Sequence, residues 1–144
     1  MTDAADHQGL ADRIKAEMTS DHSDALERNL EEAKRFVRLT NTGKVDVLVK
    51  EQVNNELKVA LYLVGKLYAK TAELATTSGV GNEELSNELG LPMGSVLPAL
   101  MSLRNKHIAQ RIREGGSVQH AIYARCVERI LREAQSATAQ AKKE

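Results

Sequence analysis

Tryptophan is absent and aromatic residues make up only 3% of the 144, so a core has to come from Leu, Val, Ile, Ala and Met within a hydrophobic total of 42%. Such a composition favours helices, and the length suits one domain with an extension. No apolar run approaches the roughly 18 residues that a membrane span needs. The first residues, Met1 to Gly9, are polar and acidic rather than basic and then apolar, so no export signal is expected. A single cysteine, Cys126, cannot close an internal disulfide, which agrees with a reducing compartment. The chain is expected to be soluble and cytoplasmic.

Net charge is also missing: 20 basic residues balance 20 acidic ones. The distribution is uneven, however. From Met1 to Arg35 nine acids (Asp3, Asp6, Asp12, Glu17, Asp21, Asp24, Glu27, Glu31, Glu32) outnumber Arg13, Lys15, Arg28, Lys34 and Arg35. Between Ser95 and Arg132 the balance reverses, with Arg104, Lys106, Arg111, Arg113, Arg125, Arg129 and Arg132 against Glu114 and Glu128. Positive charge gathered in one segment is what a phosphate backbone attracts.

Catalytic and metal-binding patterns are lacking as well. His7, His22, His107, His120 and Cys126 fall on different predicted elements with no CxxC, HxxxH or HExxH spacing, so no metal site is expected. His107 and His120 could face each other across two strands, a pairing that needs no metal. Gly79-Val80-Gly81 follows a helix and has no Gly-Lys-Ser/Thr sequel, which excludes a phosphate-binding loop. No nucleophile elbow and no tuned pair of acids occurs. No enzyme activity and no cofactor is expected.

What is present is a succession of short periodic segments. Residues 1–23 are mixed and polar, with disorder expected at the start. Leu26, Leu30, Ala33 and Val37 recur at helical spacing, which predicts a helix from Asp24 to Leu39, then a turn at Thr40 to Gly43. Its apolar face suits a partner inside the chain or a second copy. Val45, Val47 and Val49 alternate with Asp46, Leu48 and Lys50, as in a half-buried strand from Lys44 to Lys50. Asn54 or Asn55 caps a long core helix carrying Leu57, Ala60, Leu61, Val64, Leu67, Tyr68 and Leu74, in which Gly65 permits close packing.

Asn82 is positioned to cap a two-turn helix with Glu83 and Glu84 in its first turn, Leu85 and Leu89 buried, and Gly90 as its left-handed stop. Ser95 then caps a further helix, which makes Pro98 its third residue, where proline loses no hydrogen bond. Val96, Ala99, Leu100 and Leu103 form its buried stripe. Ile108 to Tyr123 reads as two strands turning at Glu114-Gly115-Gly116-Ser117. Arg125 to Gln135 is helical, with Cys126 in its apolar stripe as a structural cysteine, although nearby Arg125 and Arg129 would favour a reactive thiolate. The tail from Ser136 to Glu144 is expected to fray. Both flanking helices carry stripes suited to dimerisation.

The segment Glu84 to Leu103 (ELSNELGLPMGSVLPALMSL) resembles the helix-turn-helix of winged-helix transcription regulators, and Ile108 to Tyr123 is similar to the wing that follows it. The resemblance covers about a third of the chain and picks out no named family. It implies a mostly helical α+β fold: a winged helix-turn-helix over residues 44–123, with helical extensions at 24–43 and 124–144. It further implies a homodimeric DNA-binding protein of the nucleoid, a transcriptional regulator or architectural factor. The second helix would enter the major groove and the wing would touch the backbone. By position, the contact residues would be Ser95, Leu97, Pro98, Met101, Ser102, Arg104, Asn105 and Lys106 on the helix, with Arg111 and Arg113 on the wing. The helix face departs from the family pattern, because it offers Leu, Pro and Met where base-reading side chains are usual. An exposed apolar face is also what a protein-binding adaptor presents.

Overall fold

The helix Asn55–Thr71 is buried around nearly its whole circumference, with Val59, Ala60, Leu61, Tyr62, Leu63 and Val64 inaccessible to solvent. A helix apolar on all sides has to be the centre of the molecule. Asn54 starts it, its side-chain oxygen accepting the Leu57 N–H at 2.9 Å, as the sequence predicts. The computed structural model describes residues 9–14, 22–114 and 116–143. The disorder expected at the start falls mostly outside these, although residues 9–14 are helical.

In chain order the elements are α1 (His22–Arg28), α2 (Leu30–Ala33), β1 (Val37–Leu39), β2 (Val45–Val47), α3 (Asn55–Thr71), α4 (Asn82–Leu89), α5 (Met93–Asn105), β3 (Ala109–Glu114), β4 (Ser117–Ile122) and α6 (Val127–Lys143). Single 3-10 turns lie at Lys50–Gln52 and Ala124–Cys126. The fold is therefore mostly helical with two small antiparallel two-stranded sheets, β1-β2 and β3-β4. Among the described residues no helix is long and apolar enough to cross a membrane.

The expected helix from Asp24 to Leu39 is not formed. It breaks at Asn29, ends at Ala33, and the chain turns into β1, which pairs Val37 with Val47 and Leu39 with Val45. Spacing at 26, 30, 33 and 37 fits a helix, but pairing with β2 buries Phe36 and Val37, while Leu30 stays exposed. The ribbon is closed by Gly43 at φ +83, beside which a Cβ would lie 2.5 Å from the Leu74 carbonyl oxygen. β2 is shorter than the predicted strand, because Val49 leads into the 3-10 turn instead. It lies on α3 at Gly65, where a Cβ would meet the Val45 side chain at 2.4 Å. The close approach assigned to Gly65 is present.

Two helix starts differ from expectation. Gly81, not Asn82, occupies the cap position of α4, and the Asn82 side chain makes no cap hydrogen bond; it turns to His120 instead. α5 begins at Met93 behind Pro92, whose carbonyl accepts the N–H groups of Ser95 (2.9 Å) and Val96 (3.2 Å). Ser95 is thus inside the helix rather than its cap. Pro98 then lies in the helix interior, where it leaves the exposed Gly94 carbonyl without its usual donor. Between the two helices Gly90 takes φ +67, and Leu85, Leu89, Val96, Ala99, Leu100 and Leu103 are buried as predicted.

β3 and β4 form a hairpin in the register Ala109↔Ile122 to Glu114↔Ser117. Gly116 supplies a positive φ of +84 at the turn, while Gly115 lies outside the described residues. The bridge Val80↔His120, with both hydrogen bonds at 2.8 Å, ties β4 to the strand-like residue just before α4. α6 does not fray after Gln135. It continues to Lys143, with Ala134 and Thr138 buried and Ala137 against the core, and the Thr138 hydroxyl donating to the Ala134 carbonyl. Leu26, Ala33, Phe36, Ile130, Leu131 and Ala134 belong to one hydrophobic cluster with α3. Apart from Leu30, the residues named for both stripes that suggested a dimer are thus largely packed within the chain.

Candidate nucleic-acid interface

α5 is amphipathic because its inward stripe is fixed on α3, which forces the intervening positions outward. Met93, Leu97 and Met101, spaced by four, are 37, 47 and 56% exposed. Pro98 and Asn105 are also exposed, and Ser95 is half-buried. Arg104, three residues beyond Met101, extends this face toward the hairpin.

Two of the predicted contact residues point elsewhere. Ser102 donates its hydroxyl to Glu56 Oε1, and the Lys106 ammonium lies 3.0 Å from Glu56 Oε2. Burial pushes the Glu56 carboxyl up, but the hydrogen bonds from Ser102 and Lys106 and the positive charges of Lys106 and Arg129 outweigh it, so its pKa lies below the usual carboxylate value. Glu56 therefore stays ionised and holds the end of α5 on the start of α3. Sequence reasoning had no means of joining residues 46 and 50 positions apart.

The hairpin keeps its arginines exposed. Arg111 stands opposite His120 and Arg113 opposite Val118 in the register, on one face of the sheet. Arg111, Ile112, Arg113 and Val118 border a shallow hollow of about 220 Å³. Among the described residues, Arg104, Arg111 and Arg113 form no ion pair.

Beneath them lies His120, 4% exposed, with Nε2 2.7 Å from Asn82 Oδ1 and Nδ1 buried without a partner. Burial first, then the charges of Arg104 and Arg111, push its pKa below the ordinary 6.5. An imidazole in this setting is neutral at pH 7, with its proton on Nε2. The structure thus converges Arg104 from α5 and Arg111 from β3 above one neutral histidine. Comparison with protein-family models, curated proteins and solved structures gives no match. Function must be argued from this geometry.

The remaining basic residues of the segment Ser95 to Arg132 are engaged. Arg125 stacks on the Tyr123 ring at 4.2 Å, Arg129 lies 3.6 Å from Glu133, and Arg132 the same distance from Glu128. Cys126 lies in the 3-10 turn ahead of α6, buried, with its thiol directed at the His107 carbonyl at 3.6 Å. That is a structural setting. His107 leaves α5 at φ +61 and does not face His120, whose cross-strand neighbour is Arg111. Among the described residues no three His, Cys, Asp or Glu side chains gather as metal ligands would. A groove of about 370 Å³ between α3 and α6 has an apolar floor, but its rim residues Asn54, Glu56 and Glu133 are already paired.

Proposed function

We propose that residues 55–123 form a winged helix-turn-helix that binds duplex DNA, with α5 as the groove-facing helix and β3-β4 as the wing. The element order supports the fold: a core helix, a single bridged residue at Val80, two helices joined through Gly90, and a hairpin whose second strand returns to Val80. The observation that carries the function is the set of arginines at 104, 111 and 113, exposed or half-exposed and lacking acidic partners among the described residues, beside an outward helix face. Uncompensated guanidinium groups are suited to phosphate, and each phosphate they neutralise releases counterions.

Base discrimination is modest in this reading. Asn105 is the one amide on the outward face, while Leu97 and Met101 offer thymine methyl groups only apolar contact. Ser102 and Lys106 are withdrawn from the contact set by Glu56. The homodimer expected from the sequence is not part of the proposal, since most of the residues that suggested it, Leu30 excepted, pack within the chain.

Fluorescence anisotropy with a random-sequence duplex over a salt series tests this directly. Arg111→Ala combined with Arg113→Ala is expected to weaken binding to all sequences and to lower the slope of log K against log salt by about 2. A double variant matching the wild-type curve would remove the wing from the interface. A second reading, a protein-docking adaptor, is favoured by the exposed Met93, Leu97 and Met101. It requires duplex binding to be negligible even at low salt.

A further inference from the structure

β1 has an open edge. Leu48 donates its N–H to the Phe36 carbonyl at 2.8 Å, and Thr40 donates to the Lys44 carbonyl at 2.9 Å. The residues that bond across to β2 are therefore Phe36, Arg38 and Thr40, and in an antiparallel ladder they alternate with residues whose N–H and C=O point away from the partner strand. Val37 and Leu39 thus turn their backbone groups outward. No third strand pairs with them, and among the described residues no hydrogen bond reaches those groups.

A hollow of about 170 Å³ adjoins this strand, lined by Leu30, Ala33, Val37, Leu39 and Tyr68, with Lys34 and Arg38 beside them. It is smaller than the roughly 300–1,000 Å³ of small-molecule sites and suits a branched aliphatic side chain. Sheets commonly blunt a bare edge with charge, and Arg38 alone would do that. An apolar hollow next to the edge serves no such purpose.

The chain itself shows what β1 accepts. β2 offers Val45-Asp46-Val47, which sets a valine opposite Leu39 and another opposite Val37, with Asp46 opposite Arg38. A strand of the same alternation on the open side would direct its apolar residues to the face of Val37 and Leu39, where the hollow lies. Its acid would stand by Arg38, which is exposed and has no ion pair among the described residues. A second copy fits poorly, because pairing Val37 with Leu39 of that copy sets Arg38 against its own counterpart, and like charges directly opposite destabilise.

We propose that β1 is a docking edge for an extended segment of a partner protein in which apolar residues alternate with acidic ones, added antiparallel as a third strand outside β1. The backbone groups of Val37 and Leu39 hold the segment, while the hollow and Arg38 select its side chains. None of the residues around the hollow belongs to α5 or to the β3-β4 hairpin, so the proposal stands apart from the DNA-binding reading.

A labelled peptide that alternates valine with aspartate, titrated into the full chain, tests this, with amide hydrogen exchange as a second readout. Saturable binding that slows exchange at Val37 and Leu39 is expected. N-methylation of the peptide's valines should abolish binding, since those residues carry the hydrogen bonds to Val37 and Leu39, whereas N-methylation of its aspartates should not. Arg38→Glu changes an exposed side chain, and it should weaken this peptide about fivefold while strengthening one that alternates valine with lysine. No saturable binding, binding that survives methylated valines, or binding unchanged by Arg38→Glu would overturn the proposal. So would a concentration-dependent dimer in which the Val37 and Leu39 amides are already protected, which gives the edge to a second copy.

Discussion

His120 joins the hairpin to the start of α4 through Asn82, and its Nδ1 has no acceptor or donor in reach. In the unfolded chain this imidazole titrates near 6.5, and in the fold its pKa is lower. Between those two values the unfolded state binds more protons, so stability falls as pH drops below 6.5 and levels off once the folded value is passed. Urea unfolding at about pH 7.5 and about pH 5.5 should show a larger loss for wild type than for His120→Gln, which cannot take up a proton. Equal losses would mean that His120 does not feel this environment. Arg104 and Arg111 add to the effect, so low ionic strength should widen the difference. None of this was legible from residue types, since an asparagine opening a helix reads as a cap, and nothing local reveals a histidine 38 residues later. Gly65 was legible, because a glycine inside a strongly apolar helix has few reasons other than close approach.

Tyr62 and Lys66, one turn apart on α3, both reach Glu84 Oε2 on α4, at 2.5 and 3.0 Å, and Lys66 also donates to the Gly43 carbonyl at 3.2 Å. Burial, reinforced by Glu84, drives the Tyr62 pKa well above its ordinary value, which keeps the phenol a donor. One carboxylate thereby fixes α4 on α3, and Lys66 links the pair to the β1-β2 turn. Glu84→Gln leaves a buried ammonium without its counter-charge. Such a loss costs 3–5 kcal/mol when burial is complete; with Glu84 about a quarter exposed, roughly 2 kcal/mol is expected. Adding Lys66→Met should recover part of it, and a double-mutant cycle by urea unfolding that gives additive effects would disprove the coupling. Elements whose signals are local were readable in the sequence: the capped core helix, the Gly90 stop, the inward stripe of α5 and the hairpin at Gly116. The failures have a common cause. At Val37 helical spacing and strand alternation both fit, and only the pairing with Val47 decides. Past Gln135 the buried residues are Ala and Thr, whose small apolar surface gives little periodic signal. At Pro92 a backbone carbonyl does the capping that the sequence seemed to assign to Ser95.

Over the whole molecule the charges cancel, so the proposed binding to DNA would depend on which of them are already paired. Of the basic residues on α5 and the turn that ends it, Arg104 is without an acidic partner among the described residues, whereas Lys106 is held by Glu56. In the proposed reading Glu56 would thus withhold one phosphate contact while securing α5 against α3. The arginines at 104, 111 and 113 would give a salt slope of about −2.7 if each reaches a phosphate. Glu56→Gln should release Lys106, whose side chain is already half exposed, and steepen that slope by about 1 while tightening binding at low salt. The same substitution removes an ion pair that is half in solvent, so the cost in stability should be on the order of 1 kcal/mol or less and separable from affinity. If the variant kept the wild-type slope, Lys106 would lie out of reach of the backbone and the duplex would contact the hairpin more than the end of α5. If it steepened the slope without Arg111 and Arg113, the helix rather than the wing would be the main contact.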